Sequence, residues 1–526
     1  MPTVSVHNVG REGIIKDIPP HLLAPEAWSD GQNVRFRDNK VVKFLGHADI
    51  FDAPTVAPYW ALGCPTDTSF LWLYAGINEV YTVDGAVHTK ITRSASSYAA
   101  SAVRLWNGGI FNGIPVINNG EDVPQSWNTI AAGTPLVDLA NWPSGYQCRV
   151  IKPFGNFLVA LNITKSDTGQ PHLVLWSHSA DPATLPTSWS VSTATVDAGE
   201  NELSDVEAGI IRSGLGLRDL FIIYKANSTW GMQFVGGKFI MRFFPILTTS
   251  GILSDHCVSA LPDGVRHFVM TGDDVIVHDG QSAQSVLDER WKRFYNNNMS
   301  NLNYQASFTT LNYKDGEAWA CFPSSSSTWP DLALIWNWKT NVIGVRQLSN
   351  IAFIAAGVVD ESISGSWDAD TTSWDADLSE WDGELFGPGA LGQLAMNPED
   401  TKLYNLDSTN QFSGTSMTSY VQREGLAIVG RDREGNPKVD MDSIKLCSRI
   451  WPKTNGSSVA VRVGSQEVPG GTITWDTSQD FDPSTDNYLD VGPVTGRLLA
   501  VDFRSTGDVA WELEGYDLDV DVLGRF

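Results

Sequence analysis

The chain has 526 residues and a mass of 57.5 kDa, more than one compact core needs, and this length predicts about two to four domains. Its 42% of hydrophobic and 18% of charged residues exclude a disordered chain. The formal net charge of −25 argues against a protein that holds nucleic acid by neutralising phosphates. It is compatible with a wall along which DNA slides, or simply with solubility.

The cysteines and the chain ends limit the other classes. The five cysteines are scattered without a Cys-x-x-Cys pair, which predicts buried free thiols and no zinc site. The N-terminus lacks the pattern of a signal peptide, and the longest apolar stretch, 351–359, is less than half of a membrane span. We therefore expect no cofactor, no membrane span and a product that stays in the compartment where it is made.

Short strands dominate the chain. Runs of Val, Ile, Thr and aromatic residues alternate with Gly, Asn, Asp and Ser, which is typical of an all-β protein. The best helical candidates, 25–30 and 285–294, are a few turns long at most.

A loose unit recurs between residues 55 and 350, after an N-terminal segment of 1–54. Each unit has an apolar strand, a polar turn and a second apolar strand. Six units can be read, and their strand pairs lie at 70–74 and 80–85, 104–106 and 115–120, 157–161 and 173–176, 220–224 and 229–234, 267–270 and 275–280, and 318–322 and 332–336. This spacing favours a β-propeller over a pair of stacked sandwiches, with the number of blades left open.

The composition changes in the segment 351–400. Three Ser-Trp-Asp or Glu-Trp-Asp turns place tryptophans seven residues apart, at Trp367, Trp374 and Trp381. We interpret the segment as a loop whose tryptophans contact a neighbour, a partner or a glycan. An alternative is a calcium site, because hard cations need several carboxylate oxygens. Its ligands would be Asp368, Asp370, Asp375 and Asp377.

A second all-β unit is predicted over 401–526. In its last strand the apolar pattern changes phase across Glu514 and Gly515, which indicates a β-bulge. The opposite face then carries Asp517, Asp519 and Asp521 in a row. Aligned carboxylates repel one another, so we expect this row to be well solvated, either in open water or in a wet channel that it lines.

Catalytic motifs are missing from the sequence. It has no Gly-rich phosphate loop before a helix, no Gly-x-Ser-x-Gly elbow and no His-Glu-x-x-His. The run from Ser179 to Trp189 is a poor match to the Asp-box turn of some propeller glycosidases. We therefore do not expect an enzyme.

The first fifty residues resemble a known family. The run 22–39, with its Asn-Val-Arg strand, and its continuation over 43–46 look like the opening of podovirus tail nozzle proteins. That group includes tail tubular protein B and the packaged-DNA stabilisation hub. The C-terminal run from 496 to 526 is similar to the family's last strand pair, and the Ser-Trp-Asp repeat resembles a loop of several members.

The resemblance implies a structural virion protein of a short-tailed phage, assembled in the host cytoplasm. It implies a hexameric ring at the end of the tail, with a propeller in each subunit and a β-sandwich or barrel platform built from both chain ends. Its partners would be an adaptor or gatekeeper ring, the portal assembly, tail fibres or spikes, and double-stranded DNA that is retained and then ejected without sequence-specific binding. Within this picture we expect Asn33, Val34, Arg35 and Phe36 in the inter-subunit or platform sheet.

Two other classes remain. A glycan-binding adhesin would use the exposed tryptophans to stack on sugars. A tail-associated glycosidase would use a carboxylate pair, which so acidic a chain could supply almost anywhere.

Overall fold

The protein is all-β. A computed structural model describes residues 3–66, 70–102, 105–193, 195–237, 239–359, 391–431 and 437–525. Within these ranges one α-helix, Asp288–Asn298, accompanies three 3-10 turns, Pro20–Leu22, Val206–Ala208 and Tyr304–Ala306. The helix lies close to the predicted segment 285–294, whereas the predicted helix at 25–30 is a turn.

Six consecutive antiparallel sheets of four strands follow one another along the chain. We number them blades 1 to 6. The strands of blades 1 to 3 are Trp60–Pro65, Phe70–Ala75, Val80–Asp84 and Val87–Lys90; Asn107–Phe111, Ile114–Asn118, Gln125–Ser126 and Val137–Asp138; and Tyr146–Phe154, Phe157–Lys165, Thr168–Trp176 and Gly199–Glu202. Those of blades 4 to 6 are Ile211–Leu217, Leu220–Lys225, Thr229–Phe234 and Met241–Leu247; Val258–Ala260, His267–Met270, Val275–His278 and Ala283–Ser285; and Phe308–Asn312, Glu317–Phe322, Leu332–Asn337 and Val342–Gln347.

A seventh blade closes the ring and lies outside the six predicted units. Its strands, in spatial order, are Phe353–Val358, Leu391–Asn397, Lys402–Leu406, His47–Asp49, Gln411–Phe412 and Thr415–Ser416. The propeller therefore takes one strand from the predicted segment 1–54 and several from beyond residue 350. The predicted boundary at residue 400 falls between two paired strands of this blade.

The first strands of successive blades pack side by side, and that of blade 7 packs against that of blade 1. Hydrophobic clusters fill the space between neighbouring blades, so each blade is buried on both faces. In blade 3, Leu158 and Ala160 pack toward blade 2, whereas Val159 and Leu161 pack toward blade 4. This two-sided burial explains why the strands read as continuous apolar runs and not as alternating ones.

Both chain ends combine into a sandwich of two sheets, which we call the platform. One sheet contains Thr3–His7, Val34–Arg37, Lys40–Lys43, Ile444–Gly456, Leu489–Gly496 and Trp511–Gly524. The other contains Asp30–Gln32, Tyr420–Leu426, Val459–Gln466, Thr474–Trp475, Gln479–Phe481 and Leu498–Ser505, and a hairpin of Ile428–Arg431 and Pro437–Val439 lies beside them. The predicted fold class, a propeller with a platform formed by the N- and C-terminal segments, is confirmed.

Trp28 occupies the core between the two platform sheets. Its ring packs edge-on against Phe503 at 6.0 Å between centroids and lies 6.3 Å from that of Tyr516. Its indole N–H donates to the carbonyl of Val9 at 2.7 Å, which satisfies the one polar atom of a fully buried side chain. An N-terminal aromatic residue thus anchors strands that lie more than four hundred residues later in the chain.

The predicted β-bulge is confirmed. Lys453 pairs with Gly515 and Thr454 pairs with Leu513, so Glu514 is the extra residue. A Cβ at Gly515 would meet the carbonyl oxygen of Val6 at 2.6 Å, which explains why glycine stands there. The five cysteines are buried and unpaired, as predicted.

Candidate functional site

The aspartate row lies on the platform face that points away from the sandwich core. Tyr516, Leu518 and Val520 are buried in that core, and Asp517, Asp519 and Asp521 alternate with them on the opposite face. The row is less solvated than predicted, since Asp519 is only 9% exposed and the other two are half-buried.

Two basic residues on the neighbouring strand Ile444–Gly456 lie beside the row. The Lys453 ammonium lies 2.9 Å from an oxygen of Asp517, and Arg449 stands opposite Asp519 in the strand register. Arg449 also binds Asp490 at 2.7 Å. Opposite charges therefore offset the repulsion along the row, and the face is only moderately acidic.

The predicted interface residues are buried within the chain. Asn33 and Val34 are fully buried, and Arg35 and Phe36 are 8% and 6% exposed. Asn33 links the platform to blade 6, because its backbone N–H donates to the carbonyl of Val345 at 2.8 Å. These residues were expected in an inter-subunit sheet or in the platform sheet, and the structure places them in the platform. Their burial leaves little surface for a neighbouring subunit.

Arg35 is the centre of a buried ion network that joins the platform to blades 6 and 7. Its guanidinium lies 2.9 Å from Asp315, 3.1 Å from Glu317 and 2.8 Å from Asp407. A second buried arginine, Arg346, binds Asp407 at 2.6 Å. Two guanidinium groups thus face three carboxylates.

The pKa values of the network reflect its burial. Burial raises the pKa of the Glu317 carboxyl, although Arg35 opposes this. Burial alone would also raise the pKa of Asp407, but the guanidinium groups of Arg35 and Arg346 lower it below its ordinary value. Asp407 is therefore held in its charged form.

Two histidines and a tyrosine form a second buried network, between blades 4 and 5. The Tyr224 hydroxyl lies 2.7 Å from Nδ1 of His267 and 2.6 Å from Nε2 of His278. Nε2 of His267 lies 2.9 Å from the carbonyl of Gly216, which can only accept, so this nitrogen carries the proton. Tyr224 then donates to His267 and accepts from His278.

Both imidazoles of this network are neutral. Burial lowers the pKa of His267 to about 4, although the Gly216 carbonyl opposes this. Burial, with the neighbouring His267, lowers the pKa of His278 to about 3. All three side chains are almost fully buried, so we assign the network to packing between blades and not to chemistry on a substrate.

The propeller has an axial channel that the sequence did not predict. A cavity of about 380 Å³ is lined by the first strands of all seven blades. It adjoins a cavity of about 210 Å³ nearer one end, and Asp255 and His256 line both. Arg149 and Arg212 line the smaller cavity and Lys152 the larger.

The sequence carries a signal for this channel. Arg149, Lys152 and Arg212 are half-buried cations within strands that also carry apolar residues, where a charge is uncommon. Without the ring closure, however, nothing in the sequence shows that they converge.

The remaining predicted site residues, Trp367, Trp374 and Trp381 with Asp368, Asp370, Asp375 and Asp377, lie outside the described residues. Within the described ranges, no group of three or more His, Cys, Asp or Glu side chains is arranged to hold a metal ion. In that same part of the chain, no helix is both long and apolar enough to cross a membrane.

No protein-family model matches the chain, and a comparison with curated proteins gives no match. Solved structures do match. The CNH domain of AfRom2 is 10% identical, with 59% of this chain and 90% of that chain covered and a TM-score of 0.33. The extracellular domain of a hybrid two-component system from B. thetaiotaomicron is 8% identical, with 86% and 48% covered and a TM-score of 0.37.

A protein from Bacteroides uniformis described as a 6-phosphogluconolactonase is 10% identical, with 75% of this chain and 94% of that chain covered and a TM-score of 0.35. These TM-scores are too low for any of the three likenesses to carry a functional argument. None of the three descriptions names a tail protein.

Proposed function

We propose that the chain is a structural subunit of a ring at the end of the tail of a short-tailed bacteriophage. It extends the tail tube, retains packaged DNA and conducts it during ejection. The observation that carries the proposal is the platform, in which strands from both chain ends pair with one another in each sheet and a propeller lies between them in sequence. The sequence resemblance to tail nozzle proteins implies this arrangement.

The charge of the chain supports the same role. A net charge of −25 repels the phosphates of DNA, so a wall made of such subunits does not retain the duplex by adhesion. The platform face with Asp517, Asp519 and Asp521 is the surface that we assign to the lumen of the tube. In this role the chain is not an enzyme, and its partners are further copies of itself, the adaptor ring, the portal assembly and tail fibres or spikes.

The last strand of the platform offers an edge for ring closure. Ile444–Gly456 flanks one side of Trp511–Gly524 along its whole length. On the other side, described residues pair with it only as far as Asp519. Beyond that point Val522 and Leu523 are 47% and 51% exposed. A strand from a neighbouring subunit added at this edge would close a ring through backbone hydrogen bonds.

Mass photometry of the purified protein, alone and mixed with the portal assembly, tests the proposal. We expect a species of six chain masses, at least in the mixture. The double variant Val522→Asp/Leu523→Asp should lose this species while its unfolding temperature stays unchanged, because both side chains are exposed in the single chain. Val137→Asp, an equally exposed valine on the outer strand of blade 2, should assemble normally.

Infection gives the decisive outcome. Virions that lack this product should package DNA but leak it or fail to eject it. A purified protein that stays a single chain in the presence of the portal assembly, or normal infectivity of virions without it, would overturn the proposal.

A further inference from the structure

The axial channel of the propeller is cationic, although the chain as a whole is strongly acidic. Among the described residues, its two adjoining cavities are lined by three cationic side chains, Arg149, Arg212 and Lys152, and by one carboxylate, Asp255. None of the platform residues that the structure describes lines either cavity. The channel is therefore a site distinct from the platform surface discussed above.

One of the three cations is neutralised inside the protein. Nε and Nη2 of Arg149 donate to the two carboxylate oxygens of Asp255 at 2.8 and 2.7 Å. In this bidentate pair, both carboxylate oxygens of Asp255 accept a hydrogen bond from the guanidinium of Arg149. It leaves Asp255 committed to Arg149 and unable to balance the other two charges.

The other two cations have no carboxylate within ion-pair distance among the described residues. Nη1 of Arg212 donates to the backbone carbonyls of Ile252 and Leu253, and Nζ of Lys152 donates to that of Gly108 at 3.0 Å. Carbonyl groups satisfy hydrogen bonds but do not balance charge. Burial lowers the pKa of Lys152 to about 8.

His256 lies where the two cavities meet. Its Nε2 is buried and has no hydrogen-bond partner among the described residues. Burial, with the charge of Lys152, lowers the pKa of this imidazole to about 3, so it is neutral near pH 7. The imidazole therefore adds no positive charge, and the positive charge of the channel comes from the arginines and Lys152.

We propose that the axial channel binds a small anion through a carboxylate or phosphate group, with Arg212 in one of the adjoining cavities and Lys152 in the other as its cationic contacts. An oxyanion there supplies the counter-charge that the protein lacks, and it accepts the N–H groups of Arg212 that the two carbonyls do not use. Cavities of about 210 and 380 Å³ admit a small organic anion but not a nucleic acid chain.

Calorimetric titration of the full-length protein tests this inference. Sodium phosphate and sodium citrate are titrated separately, with sodium chloride of equal ionic strength as the blank. We expect saturable binding of one anion per chain, and the titrant that binds more tightly shows whether the site prefers a phosphate or a carboxylate group. Absence of saturable binding with both anions would overturn the proposal.

Variants locate the binding. Arg212→Gln and Lys152→Gln should each weaken it by about tenfold or more, since each removes a charge-assisted hydrogen bond. Arg11→Gln, at an arginine whose side chain is 72% exposed on the platform side of the chain, should bind as the unchanged protein does. Equal loss in Arg11→Gln and in the two channel variants would show that the anion does not bind in the channel.

Thermal unfolding separates binding from folding. In chloride, Lys152→Gln should unfold at the same temperature as the unchanged protein or a higher one, because the substitution removes a half-buried charge that no described carboxylate balances. The binding anion should raise the unfolding temperature of the unchanged protein and of Arg11→Gln but not that of the channel variants. An equal rise in all four proteins would contradict the proposal even if one variant folds poorly.

Discussion

The ion network around Arg35 should be the most sensitive contact between the platform and the propeller. Replacing Arg35 with methionine keeps most of the buried side-chain volume but removes the charge. Among the described residues, the three carboxylates of Asp315, Glu317 and Asp407 then keep one buried cation, Arg346, which binds Asp407. Removing one partner from a buried ion pair costs about 3–5 kcal/mol, because the other charge stays buried without compensation.

Arg37→Met is the matched control, two residues along the same strand. Its guanidinium also approaches Asp315, at 3.5 Å, but its side chain is 52% exposed. Exposed ion pairs contribute about 1 kcal/mol or less, so this variant should unfold almost like the unchanged protein.

Urea unfolding followed by tryptophan fluorescence measures both variants, and limited proteolysis shows which part opens first. For Arg35→Met we expect a lower midpoint and earlier cleavage between the platform strands and blade 7, because the lost contact joins these two parts. If Arg35→Met costs no more free energy of unfolding than Arg37→Met, the network does not hold the platform to the propeller.

Two further predictions concern stability. The folded-state pKa values of His267 and His278 are about 4 and about 3, below the value of about 6.5 in an unfolded chain. The free energy of unfolding that the neutral pair contributes is therefore complete above about pH 6.5, and it is lost as the pH falls toward 4 and 3. Chemical unfolding should show a midpoint that falls between about pH 6.5 and 4.5, before most carboxylates titrate, and a flat profile there would contradict the neutral buried pair. Gly515→Ala should lower the free energy of unfolding by about 1–3 kcal/mol in the same assay, because the added Cβ would meet the backbone of Val6. Gly169→Ala is the control and should be neutral, because a Cβ there meets open space. Equal effects of the two substitutions would refute the close approach at Gly515.

Local patterns in the sequence were sufficient to predict the blades. Runs such as 157–161 and 220–224 are apolar at every position, and each is the second strand of a four-stranded sheet. The phase change at Glu514 and Gly515 likewise predicted the bulge, since strand alternation is local information.

The closure of the ring could not be predicted in the same way. His47–Asp49 has three residues and no apolar pattern, yet it is the fourth strand of blade 7, where it pairs with Lys402–Leu406. The partner lies more than three hundred residues away, and neither composition nor periodicity records such pairing. Six blades can therefore be read from the sequence, but the seventh cannot. The predicted propeller ends at residue 350, whereas the last blade continues to Thr415–Ser416.

Charged side chains show the same limit. The sequence spacing of Asp517, Asp519 and Asp521 predicts their common face, but neither the burial of Asp519 nor the ion pair between Asp517 and Lys453. Arg35 binds carboxylates that lie 282 and 372 positions later, so its partners follow only from the fold.

The Arg35 network bears on how the proposed ring would work. A buried network of this kind ties the platform to the propeller, because a small displacement would break its ion pairs while the charges are still buried, at a cost of about 3–5 kcal/mol. A subunit of this kind resists bending between the tube wall and the outer parts of the tail. Conformational change during ejection would then occur between subunits, at contacts such as the edge at Val522 and Leu523, and not within a subunit.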